Sequence, residues 1–208
     1  MFLARLKRRP CYGGLDLAAV HDLTSLVLAW PVRQFVYVYP WFWIPEEGLA
    51  ERARKDNVPY VDWVARGLVE TTPGEVTDWR FVTERIKQLA RSLDIRQIGF
   101  DRYGARDTVA DLAEAGIEVV DIAQGPLSFN APMRRLNELV LSQRLIHTGH
   151  PVLRWNVDCC SITQDANENI KPVKVERQRT SKRIDGVVAT IMALDCAMKN
   201  EVTEAGVL

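Results

Sequence analysis

Tyr12-Gly-Gly-Leu-Asp-Leu-Ala18 sets one carboxylate, Asp16, at the end of a run with strand character. A charge in apolar surroundings is costly to bury unless something compensates it. The pattern recurs twice. Ile98-Gly-Phe-Asp-Arg-Tyr103 ends a second strand-like run on Asp101, and Arg183-Ile-Asp-Gly-Val-Val-Ala189 opens an amphipathic helix with Asp185. Singly, each has a structural explanation. Asp16 could cap a turn, Asp101 could accept hydrogen bonds from the turn that follows it, and Asp185 suits a helix first turn, where the macrodipole favours a negative charge by ~0.3–1 kcal/mol. Together, in the order strand, strand, helix, they point to one acidic pocket able to hold divalent cations.

The elements between them fix the fold class. Residues 12–18, 25–30 and 35–44 read as three strands of an antiparallel meander, rich in aromatic and β-branched residues, with Pro31 and Pro40 at or near strand ends. Helical stretches follow to about Asp56 and over 61–66, then a short extended piece at 68–71. Asp78 is the expected N-cap of a helix to about Ser92, with Phe81, Ile86, Leu89 and Leu93 on its apolar face. A strand at 95–100, a helix at 106–115 ended by Gly116 and a strand at 117–122 form a parallel βαβ unit. Helices are expected at 132–143 and 151–162, a short strand at 145–147, a polar hairpin-like segment at 163–183 and a last helix at 184–198. This order resembles the ribonuclease H-like α/β fold: a mixed sheet of three antiparallel strands plus parallel ones, flanked by helices. In that fold the first strand, the fourth strand and a late helix bring acids to one sheet edge.

Composition narrows the function. With 27 basic and 27 acidic residues the net charge is zero, which argues against a free-standing, non-specific nucleic-acid binder but not against a locally basic groove. Cys11, Cys159, Cys160 and Cys196 form no C-x-x-C and read as reduced thiols of a cytoplasmic protein. No apolar run approaches the ~18 residues of a membrane span. Residues 1–10 are basic and read as an arm or linker remnant, 11–199 as the catalytic domain and 200–208 as a tail.

Carboxylates suit Mg²⁺ or Mn²⁺ because such hard ions take octahedral oxygen ligands. Two ions ~3.5–4 Å apart can activate a water and stabilise the leaving oxygen of a phosphodiester. Asp22, six residues after Asp16, is either an accessory acid beside the site or a turn aspartate bonding its own backbone.

Three segments carry a more specific resemblance. They are Gly14-Leu-Asp-Leu-Ala-Ala-Val-His-Asp-Leu-Thr-Ser-Leu26, then His150-Pro-Val-Leu-Arg-Trp-Asn156 with Asn169-Ile-Lys-Pro-Val-Lys174, and finally Lys182-Arg-Ile-Asp-Gly-Val-Val-Ala-Thr-Ile-Met-Ala-Leu194. In this order and spacing, from about Cys11 to Met198, the chain resembles the nuclease domain of the large terminase subunit of tailed double-stranded DNA phages. The resemblance implies a metal-dependent endonuclease that cuts concatemeric DNA during packaging. Asp16, Asp101 and Asp185 would be the metal-binding acids, with Asp22 where an additional acid often stands. It also implies double-stranded DNA, a packaging ATPase domain, the portal and the small terminase subunit as partners. The place of action would be the cytoplasm of the infected host, transiently at the procapsid portal. No G-x-x-x-x-G-K-[ST] phosphate loop is present, so only the nuclease half is expected, as a monomer in isolation.

Lys171, Lys174, Arg177, Arg179, Lys182 and Arg183, opposed only by Glu176, read as a flap that guides the DNA backbone just before Asp185. Arg102, next to Asp101, joins them as a DNA contact. The competing reading is a solvated loop. His147 and His150 are not a convincing metal pair, while His21 lies next to Asp22; the six tryptophans suit the core. Rival functions are a Holliday-junction resolvase or ribonuclease H on the same fold, a non-catalytic docking module for the portal or small subunit, and a nucleotide-binding domain. The missing glycine-rich loop disfavours the last.

Overall fold

Strand β1 (Pro10–Asp16) lies inside the sheet because its neighbours come from both halves of the chain. The computed structural model describes residues 2–17, 23–101, 106–175 and 181–205. On one side β1 pairs antiparallel with β2 (Thr24–Val32), which pairs antiparallel with β3 (Phe35–Pro45). After α1 (Leu49–Asp56), α2 (Tyr60–Ala65), β4 (Glu70–Thr72) and α3 (Trp79–Ala90), strand β5 (Asp94–Phe100) pairs parallel with the other side of β1. Helix α4 (Arg106–Glu114) crosses over to β6 (Glu118–Asp121), parallel to β5, which completes the expected βαβ unit. Helix α5 (Pro126–Leu141), β7 (Leu145–Ile146), α6 (Pro151–Asp158), a hairpin of β8 (Cys160–Gln164) and β9 (Ile170–Lys174), and α7 (Asp185–Ala205) follow. The sheet order is β4-β3-β2-β1-β5-β6, with β7 also paired to β3. This is the ribonuclease H-like mixed sheet.

Alternation along the strands sorts side chains onto two faces. Leu15, Leu26, Leu28, Trp30, Ile98 and Phe100 pack against Val82, Ile86 and Leu89 of α3 and Leu112 of α4. The opposite face, with Tyr12, Val27 and Ala29, lies under α5 and α7. Pro40 occupies the part of β3 between its pairings to β7 at 36–37 and to β4 at 43–45, so its missing N–H removes no ladder bond there.

Several boundaries differ from the sequence reading, each for a physical reason. Asp78 caps α3 as expected, accepting from the Arg80 amide at 3.0 Å. However, the buried stripe runs Val82, Ile86, Leu89, and Phe81 is 40% exposed, one position off that 3.6-residue face. Helix α5 begins at Pro126, a proline in the first turn being pre-organised, and continues through Pro132, where burial of Phe129, Met133 and Leu139 offsets the lost hydrogen bond. Helix α6 stops at Asp158 because residues from Cys160 pair with β9 instead. Helix α7 continues to Ala205. Residues 2–10, read as an arm or linker remnant, dock on the sheet: Leu6 is buried, and the Phe2 ring lies 6.0 Å from Tyr37 and 6.1 Å from Tyr39. No helix among the described residues is long and apolar enough to cross a membrane.

Candidate active site

The register of β1 against β5 pairs Leu15 with Phe100, so Asp16 and Asp101 follow at neighbouring carboxyl ends of two parallel strands. Leu15 and Phe100 belong to the α3 face. Strand alternation therefore directs both aspartates to the other face, the one α7 covers. Both are half-buried. Helix α7 begins with Asp185, which is 6% exposed.

Two paired glycines seat this helix. Gly14 of β1 and Gly99 of β5 are register partners. A Cβ at Gly14 would overlap the Ala189 carbonyl oxygen and lie 2.7 Å from the Ala193 amide nitrogen, and one at Gly99 would lie 2.9 Å from Cys196 Sγ. The helix backbone thus rests directly on the sheet, and its N-terminus points to the edge where Asp16 and Asp101 end. The first turn is tied from another side: Asn156 Oδ1 of α6 accepts from the Gly186 amide at 2.7 Å.

The residues present fit a divalent metal in donor type, and the topology brings them to one sheet edge. All three acids offer oxygen ligands at one sheet edge, and Ser25, the register partner of Asp16, has a buried hydroxyl with no hydrogen-bond partner among the described residues. The side chains are not drawn into a closed cluster. Among the described residues no three His, Cys, Asp or Glu are gathered closely enough to hold an ion. Neighbouring carboxylates repel one another unless a cation or proton lies between them. Asp22, His21, Arg102, Arg177 and Arg179 lie outside the described residues.

The basic residues divide. Lys171 and Lys174 lie on β9 and Lys182 precedes α7, all partly exposed. Arg183 differs from the expectation of a DNA contact. Its side chain is 4% exposed and bonded at 3.1 Å to Asp56, itself 6% exposed, so its charge is directed inward. Tyr60 donates to the same Asp56 oxygen at 3.1 Å. Burial chiefly pushes the Tyr60 phenol above its ordinary value; Arg183 opposes this, while Asp56 and Asp185 add to it. His150 packs 5.4 Å from the Phe42 ring, and burial lowers its pKa to about 4, so it is a neutral core histidine. Asp56, Tyr60, Asn156 and Ser25 were not singled out from sequence. Ser25 and Asn156 fell within the quoted motifs, and no local pattern marks Asp56 or Tyr60.

Residues 3–201 match the family described as terminase large subunit, endonuclease domain. The chain belongs to that family. The terminase large subunit of Enterobacteria phage HK97 is 36% identical over 201 residues, covering 95% of this chain and 39% of the phage protein. Its crystal structure superposes with a TM-score of 0.82 over 91% of this chain. The protein YmfN of Escherichia coli K12 is 28% identical over 210 residues, covering 96% of this chain and 46% of its own length. This family member therefore spans less than half of either relative. The large terminase nuclease of thermophilic phage G20c, solved with bound magnesium, shares the fold at 12% identity, with a TM-score of 0.57 over 90% of this chain and 81% of its own. The same nuclease is also known with bound cobalt.

Proposed function

We propose that this domain is a metal-dependent endonuclease that cuts concatemeric double-stranded DNA during phage genome packaging. The observation that carries the reading is the placement of Asp16 and Asp101 at adjacent ends of β1 and β5, on the face where α7 begins with Asp185. The family supports nuclease activity, and the magnesium and cobalt held by the G20c nuclease support a divalent cofactor. Mg²⁺ or Mn²⁺, as a pair of ions, is the cofactor assigned here.

Asp16, Asp101 and Asp185 would hold the ions, with Asp22 as an accessory acid. When bound, such ions activate a water and stabilise the leaving oxygen of the phosphodiester, giving a 3′-hydroxyl and a 5′-phosphate. Lys171, Lys174 and Lys182 contact the DNA backbone and hold the scissile strand against the acidic edge. Phosphate contacts of this kind are independent of sequence and sensitive to salt. With zero net charge, the domain binds DNA weakly alone and relies on the ATPase domain, portal and small subunit to present it.

The test is cleavage of supercoiled plasmid in EDTA, Mg²⁺ or Mn²⁺ by the wild type, Asp16→Ala and Asp185→Ala. Nicking that requires metal and disappears in both variants is expected. Substituted proteins that cut as well as wild type would overturn the assignment of the acids, and inactivity with every metal would favour a docking module.

A further inference from the structure

Asp56 and Arg183, 127 positions apart, meet as a buried ion pair. Removing two charges from water is costly, and a well-packed apolar replacement is often as stable, so such a pair is weak evidence for stability alone. Its location suggests another role. Arg183 Nη2 donates to Asp56 Oδ2 at 3.1 Å and Nη1 to the Lys182 carbonyl at 3.2 Å, which fixes both the guanidinium and the chain leading into α7. The Tyr60 hydroxyl fixes the same Asp56 oxygen from the α2 side. The next residue, Ile184, accepts from the amides of Val187 at 2.8 Å and Val188 at 3.0 Å, so helix geometry starts at once. Beyond Asp185, the Gly186 amide is held by Asn156, and a Cβ there would lie 2.8 Å from Phe42 Cζ. Residues 183, 184 and 186 are therefore each held by separate contacts, and Asp185 is the residue between them.

The geometry points to Asp56 as a positioning residue that, through Arg183, sets the main chain of Asp185 and thereby the affinity of the acidic edge for divalent cations. This rests on the metal-dependent reading above. The α1–α2 segment then has a purpose beyond covering Phe42 and Ile44: it brings a carboxylate to the base of the metal-bearing helix.

The experiment is calorimetric titration of Mn²⁺ into the full 208-residue chain, with melting temperature recorded for each variant. The variants are Asp185→Asn, Asp56→Asn, and the triple replacement Asp56→Leu, Tyr60→Phe, Arg183→Met. The triple leaves no orphaned charge and should melt near wild type. Support arms to metal-binding groups typically contribute 10–100-fold in affinity. The expected result is a folded triple variant that binds Mn²⁺ about tenfold more weakly than wild type. A folded triple variant with wild-type affinity would mean the pair serves only the fold, and overturns the inference. Failure of the parent reading has a different signature, namely a wild type that binds no Mn²⁺ or an Asp185→Asn variant that binds it equally well. Should the triple variant not fold, Asp56→Asn below its melting point gives the same decision: weakened binding supports the role, and unchanged binding refutes it.

Discussion

Gly14→Ala tests whether α7 rests on β1 at the height described. The added methyl would meet the Ala189 carbonyl oxygen and the Ala193 amide nitrogen, both main-chain atoms of α7. A side chain could rotate away, but here the helix or the strand itself must move. Overpacking in a core costs ~1–3 kcal/mol and occasionally more, and backbone obstacles place this variant near ~3 kcal/mol. For a chain of this size that is a fall in melting temperature of roughly 6–12 °C. Gly13→Ala is the control. Its nearest obstacles are the Ile98 side chain at 2.8 Å and Leu28 Cδ2 at 3.2 Å, so ~1 kcal/mol is expected after side-chain adjustment. Calorimetric melts of the two variants, with metal-dependent plasmid cleavage measured well below both transitions, decide the matter. Gly14→Ala should lose more cleavage than Gly13→Ala, because the shifted helix carries Asp185 away from Asp16. A Gly14→Ala variant that melts with wild type, or a control more damaged than the test, would refute the seating of α7 on the glycine pair.

Three further outcomes follow from the described contacts. His150 is held neutral with a pKa of about 4 against 6.5 unfolded, so its contribution is complete above pH ~6.5 and is lost as pH falls toward 4, by about 3 kcal/mol in total. His150→Phe should flatten that part of the denaturation-versus-pH curve, and an unchanged slope would count against it. Ile86→Ala should cost ~2–5 kcal/mol in urea titrations while Phe81→Ala costs ~1 kcal/mol or less, and the reverse order would restore Phe81 to the apolar face. Lys171→Ala and Lys174→Ala should each weaken DNA binding uniformly across sequences and reduce the slope of log K against log salt by about 1; slopes identical to wild type would remove β9 from the DNA path.

The parts of this molecule legible from sequence were those written locally. The meander, the βαβ unit and the late helix each announce themselves by periodicity, and Asp16, Asp101 and Asp185 stand out because each is framed by apolar neighbours. The misreadings occur where local signals compete. Pro132 resembled a helix start, yet packing of Phe129 and Met133 carries α5 across it. Cys159 to Ile162 continued the apolar spacing of α6, yet the helix stops at Asp158 and pairing with β9 claims Cys160, Ser161 and Ile162 as strand. Arg183 looked like one more member of a basic run. Only the tertiary fold shows that its charge turns inward to Asp56, and no window of sequence spans that separation.

The two constraints on Asp185 are of different kinds. Gly14 and Gly99, facing Ala189, Ala193 and Cys196, set how closely the helix lies on the sheet. Residues this small contribute little burial of their own, so the close approach must be supported elsewhere. Ile191 and Met192 do so by packing with Tyr12, Phe129 and Met133, and Leu194 by packing with Val27 and Val38. Ile184, Val187 and Val188 pack the first turn into the same cluster as Ile191 and Met192, but apolar packing is non-directional and sets height and direction without fixing individual main-chain groups. The Asp56–Arg183 pair and the Asn156 amide add directional bonds at residues 183 and 186, on either side of Asp185. A helix fixed along its length but free to fray at its start would present Asp185 in many orientations. Ordering a ligand at the moment of metal binding costs conformational entropy that a preset ligand has already given up. The costly burial of an ion pair at the start of α7, rather than along it, is what that difference requires.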